Sequence, residues 1–400
     1  MATESMFDET KKFFDIFEPR GEILAGVKIS GSIQVLGEIN QVNKGKVISA
    51  LTGRQAMILG QKRKEGDRAA IFYSLKYDEK LRVLLNEPQF KEDLGWANFM
   101  SATLFMLESS GKKVSGMNVF IDNEIPDHFN ACSTEAIEIG TAKIAEKFGD
   151  FIVTDPALAE ICADGEKQFL GKDKNAAKYL PLLGAKKGSF FFQDFKSGKS
   201  GNIPIENDKY VFCVMSSGIK KKQTEEKAAA IMSVVEEAME LIRKAGGSIE
   251  GLHSLNSEQF DGFRGSLSIQ QRKRCAFFIS ENERVYSAAT SLSKGDVESF
   301  IRIVNESQKN IKNRLELVDE ENEILVDICQ DIPEVKAVRM LNLGVDGSVF
   351  LVVEKPKFKQ AETRIRKTFL ARTGLELNTE PITLENEFEE ITVNVAEFKK

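Results

Sequence analysis

Residues 27–36 (VKISGSIQVL) alternate apolar and polar side chains, the two-residue period of a half-buried strand. Shorter strand signals follow at 47–51, at 68–73 after a KRKEGD turn, and at 116–121 (GMNVFI). Between the last two, residues 96–109 (WANFMSATLFMLES) change to helical spacing with a largely apolar surface, which predicts a buried helix. A second helix is predicted over 133–148, where Ala, Ile and Lys recur at helical spacing. The glycine- and lysine-rich stretch 184–202 surrounds the strand SFFFQDF and marks the approach to a boundary.

The second half opens with a buried strand at 210–216 (YVFCVMS) and a long amphipathic helix at 224–245, ended by Gly246-Gly247. Helices follow at 272–292, 296–313 and 322–330. Two strands, 337–341 and 348–353, flank a tight turn; a helix at 358–373 stops at Gly374, and a last strand lies near 390–395. There is no internal repeat and no low-complexity tract. The pattern predicts a mixed α/β chain in two lobes, 1–207 and 208–400.

Composition narrows the class. With 400 residues, 42% hydrophobic and 29% charged, the chain has the balance of a soluble globular protein of two domains. Its 28 Phe, against one Trp and five Tyr, make Phe the main aromatic filler. A net charge of −6 argues against bulk nucleic-acid binding, and the runs Lys220-Lys221-Lys222 and Arg272-Lys273-Arg274 read as solvated faces. The N-terminal MATESMFDETKKFFDIF is acidic and amphipathic with no apolar signal core, and no stretch approaches a membrane span of about 20 apolar residues. The five cysteines (Cys132, Cys162, Cys213, Cys275, Cys329) are scattered without a CxxC pair, as reduced, buried, cytoplasmic thiols would be. The two histidines, His128 and His253, are far apart, which leaves a histidine-rich metal site or a Ser-His-Asp triad without support.

The most informative segment is 125–140, IPDHFNACSTEAIEIG, with the outline of a phosphate-holding loop running into a helix. Such a loop brings several backbone N–H groups and a helix N-terminus onto a polyphosphate, and glycine lets the backbone come that close. Here His128, Phe129 and Asn130 stand at the approach, and the helix opens with Cys132, Ser133 and Thr134. Ser133 and Thr134 are suited to cap the helix, and Thr134 to offer a metal ligand. Glu135 favours the helix dipole but would repel a triphosphate. A helix cap is therefore expected, with His128 as a packing or surface residue.

Several segments in the same order resemble the galactokinases, within the GHMP small-molecule kinases. IQVLGEINQVNKGKVI (33–48) resembles the family's VNLIGEHTDYNGGFVL. IPDHFNACSTEAIEI lies where the family has P-x-G-x-G-L-S-S-S-A-A-L-E-V, and KYVFCVMSSGIKKK resembles a strand ending in a Ser-Gly pair. The helical pair FFISENERVYSAATSLSKGDVESFIRIVNESQKNI resembles the segments around E-x-x-R-V and N-E-S-H. VRMLNLGVDGSVFLVVEK resembles the R-M-T-G-G-G-F-G-G-C hairpin. The resemblance implies a two-lobed GHMP kinase fold, with an N-terminal mixed α/β lobe, a C-terminal ferredoxin-like α+β lobe, and ATP, Mg²⁺ and sugar in the cleft between them. Phosphoryl transfer there needs a loop that cradles phosphates, a hydroxyl on the metal, a carboxylate that orients the sugar hydroxyl, and an arginine beside it.

Position by position, the reacting parts differ. The family's A-P-G-R falls on Ile29-Ser30-Gly31-Ser32, so Ser32 replaces the arginine. Of the sugar-binding G-E-H-T-D-Y, Gly37 and Glu38 remain while Ile39, Gln41 and Val42 replace His, Asp and Tyr; Glu38 and Gln41 stay as sugar-binding candidates. The loop glycines fall on His128 and Asn130, and the serines on Cys132, Ser133 and Thr134. Counting back from Leu183-Gly184 places the catalytic aspartate on Ala177, with Asp173 four positions earlier as a substitute one helical turn away. In the last motif Gly344 and Gly347 survive, while Asn342, Leu343 and Asp346 interrupt the glycine run. Nucleotide-binding candidates are thus Cys132, Ser133, Thr134, Gly344 and Gly347. Three functions follow: an inactive galactokinase homologue acting by binding or regulation, an active sugar or small-molecule kinase with a rebuilt site, and a partner-binding protein that takes neither nucleotide nor sugar. Nucleic acid and membrane are not expected partners.

Overall fold

The computed structural model describes residues 4–37, 44–86, 90–171, 176–219, 222–316, 320–345, 347–385 and 387–398. The alternation at 27–36 belongs to strand β1 (Ile23–Leu36), which pairs antiparallel with β2 (Lys46–Lys62). β2 runs well past the short strand expected at 47–51. The polar Gly53-Arg54-Gln55 interrupts its apolar pattern, but the strand continues across a register shift opposite Ser30 and Ser32.

Helix α1 (Glu4–Ile16) precedes β1. The chain then continues through β3 (Ala69–Ser74), β4 (Glu79–Leu84), α2 (Ala97–Ser109), β5 (Met117–Asn123), α3 (Ser133–Gly149), α4 (Asp155–Leu170), α5 (Leu180–Gly184), β6 (Ser189–Asp194) and β7 (Lys199–Pro204). The second half comprises β8 (Tyr210–Ser216), α6 (Lys222–Lys244), α7 (Ser257–Asp261), α8 (Ile269–Ser293), α9 (Val297–Asn310), α10 (Glu320–Gln330), β9 (Val335–Met340), β10 (Ser348–Glu354), α11 (Phe358–Thr373), β11 (Asn378–Ile382) and β12 (Glu389–Asn394). The helix expected at 296–313 ends as α9, and its last turn, Ile311–Leu315, is π-helical.

The first sheet orders its strands β12-β1-β2-β5-β3-β4, with the β6–β7 hairpin attached to β2. Only β3 and β5 run parallel. The second sheet, β11-β8-β10-β9, is antiparallel throughout. Numbered by its own strands it reads 4-1-3-2, and with helices between the first and second and between the third and fourth it is ferredoxin-like. β12 leaves that half and pairs with β1.

The two sheets meet through aromatic packing. Phe190 of β6 lies 5.4 Å from Phe212 of β8 and 5.6 Å from Phe300 of α9, centroid to centroid. Phe350 of β10 stacks on Phe212 at 6.2 Å. All four are buried in one core that spans both halves, which accounts for much of the chain's reliance on Phe. A polar link runs alongside it, the Lys46 N–H donating to Asn282 Oδ1 of α8 at 2.9 Å.

Candidate functional site

The segment after β5 turns through a short 3₁₀ helix, Asp127–Phe129, and enters α3. Its backbone has two left-handed residues: Asn130 at φ 51°, on one of the two positions the resemblance gives to glycine, and Cys132 at φ 59°, on a position it gives to serine. Asparagine tolerates that region, whereas a cysteine there costs about 1–2 kcal/mol. Burial offsets the strain, since Phe129, Ala131 and Cys132 are all buried in the main core. Side chains packed beneath the loop thus hold a backbone that its residue types do not favour.

The helix-cap expectation is corrected. The N-cap is Cys132, which makes no side-chain cap, and Ser133 and Thr134 sit inside the first turn. Ser133 Oγ instead donates to Asp127 Oδ1 and accepts from Asn123 Nδ2, each at 2.9 Å. With Cys132 in a left-handed conformation, the hydroxyl one residue later is turned back to the 3₁₀ helix. Asp127 is also paired with Lys76.

Two other segments reach this loop. β1 breaks register at Gly31, and the Ser32 N–H donates to the Ala131 carbonyl at 2.9 Å. A Cβ on Gly31 would meet Ala131 O, Ile125 Cγ2 and Thr52 Oγ1 at 2.8 Å each, so only glycine lets strand and loop touch. From the other side Lys178, beside the buried Ala177, places Nζ 2.9 Å from Glu135 Oε1 and 3.2 Å from Asn130 Oδ1. The Glu135 carboxylate holds the Lys178 ammonium well above the ordinary lysine range, against the opposing effect of burial. Burial, together with Glu135, pushes the Cys132 thiol up and keeps it protonated. Ala177 itself offers only its carbonyl, which accepts from Gln193 Nε2 at 3.3 Å.

Positions 32 and 177 therefore both lie at the loop, without the guanidinium and carboxylate that the resemblance assigns to them. Among the described residues, the charges at the loop include Lys178 paired with Glu135 and Lys76 paired with Asp127, with the buried Glu166 also acting on Lys178. Neither Lys178 nor its pairing with Glu135 was anticipated, although a cation gained beside Ala177 while Ser32 loses one was a readable signal. Beside the first turn of α3 lies a pocket of about 180 Å³ lined by Tyr77, Trp96, Phe99, Asn123, Ser133 and Thr134. Its aromatic wall is ordered: Tyr77 and Trp96 stack at 6.0 Å, and Trp96 Nε1 donates to Glu79 Oε2 at 2.7 Å.

Gly344 and Gly347 lie in the turn between β9 and β10. The Gly344 carbonyl accepts from Asn322 Nδ2 at 2.8 Å, and the Gly347 carbonyl from the Ser217 N–H at 3.3 Å. Gly347 has φ 64°, and a Cβ on it would stand 2.3 Å from Ser217 Oγ. β8, which ends next to Ser217, also runs against the Asp127–Phe129 turn. Glu38, Ile39, Gln41, Val42, Asp173 and Asp346 lie outside the described residues, as does the expectation for the His128 side chain.

Behind that turn, three of the resembling segments meet in one buried network. Arg284 Nε bonds Glu281 Oε2 at 2.8 Å, and Arg339 Nη2 bonds Glu281 Oε1 at 3.2 Å. Ser307 Oγ lies 2.8 and 2.9 Å from the two Glu281 oxygens and accepts from Arg339 Nε at 2.9 Å. Gln308, at the position of the family's histidine, accepts from the Met340 N–H at 2.7 Å. Burial pushes the Glu281 carboxyl up, but Arg284, Arg339 and the Ser307 hydroxyl outweigh it and hold it below the ordinary range.

No family model matches the chain. The galactokinase of Thermotoga maritima is 22% identical over 351 residues, covering 88% of this chain and 95% of that protein. The galactokinase of Lactococcus lactis, solved with galactose, superposes with a TM-score of 0.88 at 20% identity, covering 97% of this chain and all of that one. This chain has the galactokinase fold. The wider fold is shared with Methanococcus jannaschii mevalonate kinase, at a TM-score of 0.62 and 16% identity over 91% of this chain. That fold is thus kept nearly end to end, and among the described residues no helix is long and apolar enough to cross a membrane.

Proposed function

We propose that this protein is a galactokinase homologue that does not transfer phosphate and acts by binding, with a nucleotide or sugar as its ligand and regulation as its output. The observation that carries the reading is the Lys178 ammonium lodged between Glu135 and Asn130. A galactokinase-type transfer needs a carboxylate near 177 to orient the sugar hydroxyl and a cation near 32 to offset developing charge. Here both positions are neutral, and the nearby lysine is neutralised by its own carboxylate. Parts that act together lose orders of magnitude in rate when one is removed.

The residues present fit magnesium poorly. Both carboxylates at the loop, Asp127 and Glu135, are paired with lysines, and the Ser133 hydroxyl is committed to Asp127 and Asn123. ATP binding has better support: the stacked Tyr77–Trp96 wall suits a planar base, and the first turn of α3 adjoins it. Cys132, Ser133, Thr134, Gly344 and Gly347 are the proposed nucleotide contacts, and Glu38 and Gln41 the proposed sugar contacts. The lobes are proposed to divide near 207, and the compartment to be the cytoplasm, where the five buried free thiols stay reduced.

The test is ADP release from Mg-ATP with galactose and a panel of other sugars, run beside thermal shifts with ATP, ADP and the same sugars. No turnover with a shift from at least one ligand is expected. Turnover that disappears in Asp173→Ala would establish a rebuilt active kinase instead. No turnover and no shift would leave a protein that answers only to a macromolecular partner.

A further inference from the structure

The segment from Lys355 to Arg372 carries seven cations and one carboxylate in a chain whose net charge is −6. Lys355, Lys357, Lys359, Arg364, Arg366, Lys367 and Arg372 are all exposed, while Ala361, Ile365 and Phe369 fix the opposite face of α11 in the core of the ferredoxin-like half. Lys359, Arg366 and Lys367 border a groove of about 540 Å³ whose wall includes Leu370, 44% exposed, and which is closed on its far side by Glu376 and Leu377. Only Glu362 opposes them on the helix, paired with Lys359 at 3.0 Å and Arg366 at 4.0 Å. Nothing in the loop or its neighbouring pocket uses this face.

We propose that the outer face of α11 is a docking surface for an acidic polypeptide segment that carries apolar side chains among its carboxylates. Charge complementarity selects an anion, because this basic face stands on an otherwise acidic molecule. Planar guanidiniums at Arg364 and Arg366 suit bidentate carboxylates. The groove decides between anions. Its apolar Leu370 gives a seat to a side chain, and Glu362 and Glu376 would repel an unbroken phosphate backbone. No exposed aromatic ring stands among these cations to stack a base. A lone exposed leucine is also too little apolar surface to bury in a lipid headgroup layer.

The test uses the full-length protein and a fluorescein-labelled peptide of repeated Asp-Glu-Leu triplets, followed by anisotropy, with single-stranded oligouridylate and phosphatidylserine vesicles as the other arms. Saturable peptide binding is expected, weakened by salt and reduced by about tenfold or more in the triple variant Arg364→Glu/Arg366→Glu/Lys367→Glu. If that variant does not keep the wild-type melting temperature, the neutralising set Arg364→Gln/Arg366→Gln/Lys367→Gln gives the same reading. Replacing each Leu of the peptide by Ser is expected to weaken it further. Equal binding by wild type and a folded variant, no binding at all, or tighter capture of oligouridylate or vesicles through the same three residues would overturn the proposal.

Discussion

Two ionic clusters in this protein lie on segments that resemble galactokinase motifs, and they differ in depth and in what they join. Glu281, Arg284 and Arg339 have side chains at most 8% exposed, and with Ser307 they tie α8, α9 and β9 together. Lys178 and Glu135 join the 176–178 turn to α3; Glu135 is as buried as Arg284, at 8%, but the Lys178 side chain is 27% exposed. The deep cluster keeps the residue types of its motifs; the shallow one replaces them. A buried charge cannot be removed alone without stranding its partner, so stability itself constrains the first cluster. A cation with solvent beside it, as Lys178 has, is held less strictly.

The largest effect that would sharpen this contrast is expected from Arg339→Met. It takes from the buried Glu281 one of its two guanidiniums, leaving Arg284 and Ser307, and should lower unfolding free energy by about 3 kcal/mol in urea titrations. A loss near zero would break the argument that depth protects the network. Lys178→Met leaves Glu135 buried without its cation, but solvent near the lysine softens the loss, so about 1–3 kcal/mol is expected by the same titration. Gly31→Ala drives a Cβ into the Ala131 carbonyl and should cost about 1–3 kcal/mol, with faster amide exchange at Ser32. Asn130→Gly suits the left-handed backbone and removes only the bond to Lys178, so a change within about 1 kcal/mol is expected.

Acid and base should separate the two clusters. The Glu281 carboxyl is depressed in the fold, so its contribution is present above the unfolded value of about 4.3 and lost as pH falls through the folded value. The Lys178 ammonium is raised, so its contribution is present below about 10.4 and lost as pH rises through the folded value. Amide exchange should therefore open the α8–β9 region first in acid and the α3 loop first in alkali. The reverse order would contradict the assignment of charges.

Much of the fold was readable because long periodic segments leave little choice: α2, α3, α11, β8 and β10 lie where the pattern of 96–109, 133–148, 358–373, 210–216 and 348–353 puts them. β4 (EKLRVL) escaped notice because its alternation covers only four residues, and β7 (KSGNIP) because it exposes most of its residues and carries no clear alternation. Helix α4 was missed although Pro156 in its first turn marks its start. At the loop, residue types predicted a helix cap from Ser133 and Thr134, whereas Ser133 turns back to Asp127. The burial of Phe129, Ala131 and Cys132 beneath the loop is tertiary and was invisible in sequence. The pairing of Lys178 with Glu135 spans 43 positions, and no local pattern encodes a partner at that separation.

The return of β12 to β1 has a consequence for how the chain is made. Six consecutive register pairs join residues 23–28 to residues 389–394, so that edge of β1 stays open until residues 389–394 have been synthesised. An emerging chain would meanwhile hold β1 paired with β2 on one side and open on the other, the kind of edge that recruits other strands. A truncation before residue 389 would leave that edge open in the folded chain.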